Sequence, residues 1–147
     1  MKIPSRGRYG VRALVDIAMN QAGGPVLIRD IASRQQISLM YLQQVLNPLI
    51  AGGLVKSTRG PGGGVSLSKQ PSDISIADIL DLLIGSVISV ECIDDPGCCP
   101  RSKNCAARDT WVQLKQSMVG ILNSTSIQDL VDRQMLKDRV SDISYQI

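Results

Sequence analysis

The beginning of the chain carries apolar residues at helical spacing, separated by short polar or glycine-rich stretches. Apolar positions that recur every three or four residues share one face of a helix. A first helix is predicted after Ser5, which we expect to cap it, and Gly23-Gly24-Pro25 ends it. Residues 26–28 are predicted to form a short strand, and residues 30–35 a brief helix. The apolar face of the first helix consists of Val11, Leu14, Ile17 and Ala18.

A leucine-rich segment follows a tight polar connection. Gln35-Gln36-Ile37-Ser38 separates two short predicted helices, and so short a connection is typical of a helix-turn-helix. Ser38 is expected to cap the second helix, and Gly52-Gly53 to end it. Pro48 cannot donate a backbone hydrogen bond, so it is expected to bend or shorten this helix. The apolar face of the helix consists of Leu39, Leu42, Leu46 and Leu49.

Two strand-like runs come next, at residues 54–57 and 65–68. The connection between them, residues 58–64, contains four glycines and one proline, which predicts a hairpin loop. A helix-turn-helix followed by a β-hairpin is the order of elements in a winged helix. The alternative, a loop that cradles nucleotide phosphates, is disfavoured because no Gly-Lys-Ser/Thr sequence follows and the loop joins two strands.

The pattern changes after Ser72. Asp73 or Ser75 is expected to open a helix whose apolar face consists of Ile76, Ile79, Leu80 and Leu83. A capping box is predicted within residues 125–128, at the start of a last helix, and the polar tail after Arg133 is expected to fray.

A further helix carries apolar residues at intervals of three, four and three positions. This stripe suits a helix that packs on its mate in a dimer, and an ordinary core face would show the same spacing. Its members are Trp111, Leu114, Met118 and Ile121.

Charge is divided unevenly along the chain. Residues 1–72 contain nine Lys/Arg and two acidic residues, a net charge of +7, whereas residues 73–147 contain seven and eleven, a net charge of −4. The first half therefore fits a polyanionic partner, although a solvated basic surface has the same composition. The scarcity of aromatic residues disfavours single-stranded nucleic acid. No apolar run is long enough to span a membrane and no signal segment is recognisable, so we expect a cytoplasmic protein.

Three groups of residues are candidates for contact with double-stranded DNA. The outer face of the second helix is expected to enter the major groove, where glutamine can pair with adenine. In the predicted wing, Arg59 is suited to a narrow minor groove and Gly60 permits close approach. The basic N-terminus, with Lys2, Arg6, Arg8 and Arg12, is expected to contact phosphates. The candidates on the second helix are Ser38, Met40, Tyr41, Gln43 and Gln44.

All four cysteines fall within residues 92–105, and the chain contains no histidine. A disulfide would require an oxidising compartment. Zinc sites favour two to four residues between cysteines, whereas five separate Cys92 from Cys98 and five separate Cys99 from Cys105. Iron–sulfur clusters accept thiolates at wider spacings. A cluster is therefore favoured, with zinc and reactive thiols as the alternatives.

Taken together, these segments resemble a known family. Residues 2–10, 37–42 and 59–64, in this order before the cysteine loop, are similar to the IscR-type iron–sulfur cluster regulators, dimeric bacterial winged-helix transcription factors. The resemblance covers about residues 1–132. It implies that the helix after the cysteine loop forms a homodimer, and that Cys92, Cys98 and Cys105 bind a cluster, of the 2Fe–2S type.

The resemblance leaves the fourth cluster ligand open. Members of the family use a histidine shortly after the third cysteine, where this chain has residues 106–108 Ala-Ala-Arg, or an aspartate near the N-terminus, where it has Arg8. One extra residue before Cys105 makes Cys99 an alternative middle ligand or a fourth one. The remaining candidates are Asp94, Asp95 and Asp109.

The expected fold is mainly α with a small β-hairpin. A winged helix-turn-helix domain spans residues 1–72, and residues 73–147 contain the cysteine loop and the dimerisation helices. The expected function is a DNA-binding transcription regulator that senses cluster status and controls genes for cluster biogenesis. The alternatives are a thiol- or partner-controlled regulator without a cluster, and a zinc-binding regulator. An enzyme is disfavoured because the usual acid–base residue, histidine, is absent.

Overall fold

The computed structural model describes residues 2–87 and 89–146. It contains seven α-helices, four single 3₁₀ turns and one two-stranded antiparallel sheet among these residues. The mainly α fold with a β-hairpin is therefore confirmed. The elements are α1 (Ser5–Asn20), α2 (Ile28–Gln35), α3 (Leu39–Ala51), β1 (Val55–Thr58), β2 (Gly64–Leu67), α4 (Ile76–Ile84), α5 (Glu91–Asp94), α6 (Ala106–Ser124) and α7 (Ile127–Tyr145).

Two predictions near the N-terminus are wrong in detail. Ser5 is the first residue of α1 and does not cap it, because Pro4 occupies the capping position and its carbonyl accepts from the Arg8 amide at 3.2 Å. Residues 26–28 do not form a strand. Val26 makes a single bridge to Val65, with both backbone hydrogen bonds at 2.8 Å, and α2 begins two residues later.

The turn between α2 and α3 has the geometry of a Schellman motif. Gln36 adopts the left-handed conformation, with φ of 54°, and its amide lies 3.3 Å from the Ser33 carbonyl. The next amide, that of Ile37, donates to the Ala32 carbonyl at 3.0 Å. The buried Ile37 side chain anchors the turn in the core. Helices that end in this left-handed conformation usually have glycine at this position, because a Cβ atom is disfavoured there.

Helix α3 largely follows the prediction. The Ser38 hydroxyl accepts from the Tyr41 amide at 3.2 Å, which confirms the cap, and the helix ends at Gly52 as expected. Leu39 differs from its prediction: it lies at the first helical position and is 45% exposed. Pro48 does not end the helix, which continues to Ala51. The buried face consists of Leu42, Val45, Leu46 and Leu49.

The β-hairpin follows α3 directly and pairs Val55 with Leu67. Both of these side chains are buried, whereas the other residues of β1 are exposed. One face of this small sheet therefore closes the core beneath α3, and the connecting loop projects into solvent.

Helix α1 lies at the centre of the fold, where it contacts α2, α3, α4 and α7. It packs against α4 closely enough that a Cβ atom on Gly10 would lie 2.1 Å from Leu83 Cδ1. Of the two residues expected to open α4, Ser75 caps it, in a capping box with Asp78. The buried residues of α4 and of the start of α7 belong to the same core as those of α1. The separation of the chain at residue 72 stays a prediction.

The joint between α6 and α7 is pinned to the segment that precedes α4. The Ile76 amide donates to the Thr125 carbonyl at 3.0 Å, and the Ile127 amide donates to the Ile74 carbonyl at 2.9 Å. The capping box of α7 uses Ser126 and Asp129, one residue later than predicted, because Ser126 is the residue with extended backbone just before the helix.

The predicted fraying after Arg133 is wrong. Helix α7 continues to Tyr145, and its distal half carries exposed apolar side chains as well as polar ones. Helix α6 has no buried residue. Trp111, Leu114 and Ile121 are 45%, 51% and 63% exposed, so the α6 stripe, defined as these residues with Met118, is not a core face of a single chain.

Replacing Gln36 by glycine is expected to stabilise the protein by about 1 kcal/mol, because the left-handed conformation disfavours a Cβ atom. The matched control is Ser33→Gly, which places glycine inside α2 and is expected to lower stability by about 0.5–1 kcal/mol. Both effects are measured as shifts in the denaturant midpoint. A loss of stability in Gln36→Gly would contradict the proposed role of the turn.

Candidate functional site

The exposed face of α3 presents three of the residues predicted to read DNA. Met40 is 72% exposed, and Gln43 and Gln44 are also exposed. Ser38 differs from them because its hydroxyl is engaged in capping the helix. An exposed helix face of this size matches the width of the major groove of B-DNA.

Tyr41 is half-buried and packs against α1. Its ring meets that of Tyr9 edge to face, with centroids 5.8 Å apart, and the Arg12 guanidinium lies 5.3 Å from the Tyr9 ring centroid. Arg12 also donates to the Gln35 side chain at 3.1 Å and to the Gln35 carbonyl. This arginine, predicted to contact phosphate, therefore holds the end of α2 against α1.

Arg6 and Arg8 lie exposed on the first turns of α1. Arg8 donates to the Ser5 hydroxyl at 3.3 Å. Arg6 borders an open groove of about 560 Å³ whose other wall is α3, with Tyr41, Gln44 and Pro48 among the lining residues. The basic start of α1 and the exposed face of α3 thus border the same surface.

The wing, residues 58–64, is a tight turn closed by its own backbone. The Gly63 amide donates to the Gly60 carbonyl at 2.9 Å, with Pro61 and Gly62 between them. Gly62 has φ of +73°, which together with the preceding proline is typical of a type II turn. A Cβ atom on Gly63 would lie 2.3 Å from the Thr58 carbonyl oxygen. Arg59 is exposed beside this turn.

A buried carboxylate on α1, which the sequence analysis did not identify, holds the end of α2 next to the turn that precedes α3. Asp16 is 3% exposed and accepts three hydrogen bonds from Arg34, the shortest at 2.6 Å, one from Gln35 at 2.8 Å and one from Asn20 at 3.5 Å. The hydrogen bond to Asp16 raises the pKa of Arg34. The available signal was an acidic residue between Leu14 and Ile17 on the apolar side of α1.

The cysteine segment, residues 92–105, contains more regular structure than predicted. Cys92 lies in α5, Cys98 ends a single 3₁₀ turn, and Cys105 directly precedes α6. All four cysteines are free thiols; Cys98 is exposed and the others are half-buried. The pKa of the Cys98 thiol is raised, mainly by partial desolvation and to a lesser extent by the nearby Asp95 and Cys92.

The thiols do not form a ready-made metal site. Across residues 2–87 and 89–146, no three cysteine or carboxylate side chains lie close enough together to hold a metal ion. The donor chemistry suits an iron–sulfur cluster, since thiolates are its usual ligands. A cluster would therefore require these thiols to move together.

Comparison with known proteins identifies the family. The Rrf2 pattern, described as "Iron-dependent Transcriptional regulator", matches residues 3–133. The chain belongs to the Rrf2 family. It is a DNA-binding transcription regulator rather than an enzyme, as predicted, since its relatives are transcription regulators.

Several relatives of this Rrf2 chain are similar over most of their length. It is 39% identical over 138 residues to the HTH-type transcriptional regulator IscR of Klebsiella pneumoniae, which covers 94% of this chain and 84% of the relative. The solved structure of T. potens IscR is 34% identical, with a TM-score of 0.72 and coverage of 95% and 88%. The structure of CymR, the global cysteine regulator of B. subtilis, is 33% identical, with a TM-score of 0.79 and coverage of 90% and 98%.

No helix in the described part of the chain is long and apolar enough to cross a membrane.

The resemblance to IscR-type regulators, inferred from the sequence, is confirmed by the similarity to the IscR proteins of Klebsiella pneumoniae and T. potens.

Two side chains of α6 hold the cysteine segment of this Rrf2 chain in place. Arg108 donates to the Cys92 carbonyl at 3.0 Å, and Lys115 forms an ion pair with Asp94. The hydrogen bond from Lys115 lowers the pKa of Asp94. Asp94 also accepts from the Val90 amide at 3.1 Å. The position of α5 therefore depends on its contacts with α6. The spacing of residues in the sequence did not predict these contacts.

Replacing Lys115 by methionine is expected to loosen α5, since Asp94 loses its charged partner. Hydrogen exchange of the amides of residues 93–95, which donate to the Val90 and Glu91 carbonyls, should accelerate several-fold. Because the folded pKa of Asp94 is lowered, the contribution of this pair is present above the ordinary carboxyl pKa near 3.8 and is lost as the pH falls through the lower, folded value. The Lys115 effect should therefore be constant between about pH 6 and 8.

Lys137→Met is the matched control, because Lys137 is exposed and has no ion pair among the described residues. Equal exchange rates in the wild type and Lys115→Met would show that α6 does not order α5.

Proposed function

We propose that the chain is a homodimeric cytoplasmic regulator that binds a pseudo-palindromic operator through two winged helices, and that an iron–sulfur cluster controls its affinity for DNA. The observation that carries the proposal is that α6 directly follows Cys105 and also holds α5, the helix that contains Cys92. The similarity to IscR regulators supports it. Genes for cluster biogenesis are the expected targets.

The proposed DNA contacts divide into reading and positioning groups. Met40, Gln43 and Gln44 would face base edges in the major groove, with Ser38 and Tyr41 at the margin of this surface. Arg59 and Gly60 in the wing would approach the minor groove. Arg6 and Arg8 would contact phosphates, which orient the protein without selecting a sequence. In a dimer, the two α3 helices would lie about one helical turn of DNA apart.

Cys92, Cys98 and Cys105 would hold the cluster, of the 2Fe–2S type. Cys99 is the favoured fourth ligand, or an alternative to Cys98 in the middle position. It is favoured over two of the carboxylates because Asp94 is paired with Lys115 and Asp95 accepts from the Gly97 amide at 3.0 Å. The bound cluster would supply a centre whose loss or oxidation changes the charge and order of the segment.

The chain itself would transmit the change through α6. A rearrangement that gathers Cys92 and Cys105 would act on Arg108 and Lys115, and therefore on the orientation of the whole helix. If α6 forms the dimer, as its exposed stripe suggests, this would alter the spacing of the two DNA-binding surfaces. Regulation requires the two arrangements to differ in their affinity for DNA.

A second candidate is regulation by thiol chemistry without a cluster. It is favoured by the absence of three converging metal-ligand side chains within the described residues. Cys98 is an exposed thiol next to Cys99 in the chain, so an oxidant could reach it without unfolding the core. In this case DNA affinity would follow the oxidation state of the metal-free protein.

Anaerobically purified protein is expected to be coloured and to contain iron and sulfide, with visible absorption that Cys92→Ala abolishes. Lys103→Ala, in the same segment but without a donor thiol, is the control and should keep the colour. Cys98→Ala and Cys99→Ala, measured in parallel, identify the middle ligand. A colourless protein that cannot be reconstituted with iron and sulfide, but binds zinc, would exclude the cluster.

Arg59→Ala is expected to weaken binding to a DNA fragment selected by the wild-type protein by about 1–3 kcal/mol, with a smaller salt dependence. The loss arises because an exposed arginine on a closed turn no longer enters the groove. Lys69→Ala, an exposed basic residue beyond β2, is the control. Equal affinities of Arg59→Ala and the wild type, measured by anisotropy at several salt concentrations, would rule out the wing contact.

A further inference from the structure

Arg12 is an exposed arginine near the proposed DNA-binding surface, yet its guanidinium contacts other residues of the same chain. Its Nε atom donates to Gln35 Oε1 at 3.1 Å, and a terminal nitrogen donates to the Gln35 backbone carbonyl. The guanidinium also lies 5.3 Å from the centroid of the Tyr9 ring. Three separate contacts therefore fix the direction of this side chain.

The Gln35 carbonyl belongs to the end of α2, where no further amide of the helix is available as a donor. The two amides that follow it are used elsewhere, because Gln36 contacts the Ser33 carbonyl and Ile37 donates to Ala32. Arg12 supplies a donor to the Gln35 carbonyl and places a positive charge at the C-terminus of the helix, which is favourable there.

The Gln35 side chain connects Arg12 to the buried carboxylate of Asp16. Its Nε2 atom donates to Asp16 at 2.8 Å, while its Oε1 atom accepts from Arg12. An amide group placed between an anion and a cation has one favourable orientation, with the nitrogen toward the anion. The end of α2 is thereby attached to two side chains of α1.

The Tyr9 ring extends these contacts to the first turn of α3. It meets the ring of Tyr41 edge to face, with centroids 5.8 Å apart. The Tyr41 amide in turn donates to the hydroxyl of Ser38, which caps α3. Arg12 therefore contacts both sides of the turn between α2 and α3, directly at Gln35 and through Tyr9 at Tyr41.

Arg12 and Arg6 lie on different faces of α1. Six residues along an α-helix correspond to a rotation of about 120° between the two side chains. Arg6 borders the groove between α1 and the exposed face of α3. Arg12 borders a different groove, which α1 forms with α2 and α7.

We propose that Arg12 is a positioning residue for DNA recognition and not a phosphate contact. It holds the end of α2 and the start of α3 against α1, so that the exposed face of α3 meets the bases in one orientation. This inference rests on the proposed reading of base edges by α3. A phosphate contact strengthens binding to every DNA sequence and adds to its salt dependence, whereas positioning affects the sequence that is read.

Replacing Arg12 by lysine separates the two roles, because lysine keeps the charge but lacks the rigid fork of donors that reaches both oxygens of Gln35. Full-length Arg12→Lys and Arg12→Met are both expected to bind a DNA fragment selected by the wild-type protein roughly tenfold more weakly, the size of one lost base contact. Binding to a fragment of unrelated sequence should change less than about twofold, with the wild-type salt dependence. Both affinities are measured by anisotropy at several salt concentrations.

Arg6→Met is the matched control, since Arg6 is an exposed arginine of the same helix. It is expected to weaken binding to both fragments and to lower the salt slope by about 0.9, as the loss of one phosphate contact would. Gln35→Met removes the side-chain hydrogen bond from the α2 end without a change of charge, and should reproduce the selective loss. Circular dichroism verifies that each variant is folded at the assay temperature.

Two results would overturn the positioning role alone. One is an Arg12→Met variant that behaves like Arg6→Met while Arg12→Lys binds like the wild type, because charge would then be the property that matters. The other is unchanged binding of Arg12→Met to both fragments. A wild-type protein that binds all fragments equally would overturn the proposed base reading by α3, and this inference with it.

Discussion

The buried carboxylate of Asp16 is the interaction on which the arrangement of the proposed DNA-binding surface depends. It is almost fully excluded from water and lies on α1, while its partners, Arg34 and Gln35, lie at the end of α2. An ionised group in such a place is tolerated only when charged and polar donors satisfy it. The end of α2 is therefore fixed to α1, and with it the turn that determines where α3 begins.

Arg12 of α1 also helps to hold α2, and through Tyr9 it links α1 to α3. It contacts Gln35 and stacks over Tyr9, whose ring touches Tyr41 on α3. A single polar network thus connects the middle of α1 to both helices of the helix-turn-helix. On its other sides α1 contacts α4 and the start of α7. Because α2 and α3 are tied to α1 in this way, a displacement of α1 would carry the α3 face with it.

Local chemistry explains which features the sequence could predict. The Ser38 cap, the glycine stop after α3 and the hairpin all depend on residues next to each other in the chain, and their signals are strong. Asp16, Arg108 and Lys115 act through partners 16 to 21 residues away, which spacing alone does not pair. The distal half of α7 was missed because its apolar residues do not continue the face that Ile127 and Val131 bury. The sequence after Arg133 therefore shows no apolar face in register with the start of the helix. The cysteine segment was recognised by its composition, but its short helices and their links to α6 depend on tertiary contacts.

The backbone hydrogen bonds that pin residues 125 and 127 to the start of α4 give α6 a fixed pivot at one end. The helix is 19 residues long, or about 28 Å, and Cys105 lies at its other end. A rotation of only ~5° about the pivot displaces the cysteine end by roughly 2.5 Å, half a helical turn. Because α6 is anchored at residues 125–127 and begins next to Cys105, a shift of a few ångströms at the thiols corresponds to a rotation of only a few degrees at the anchored end, where the helix meets the core.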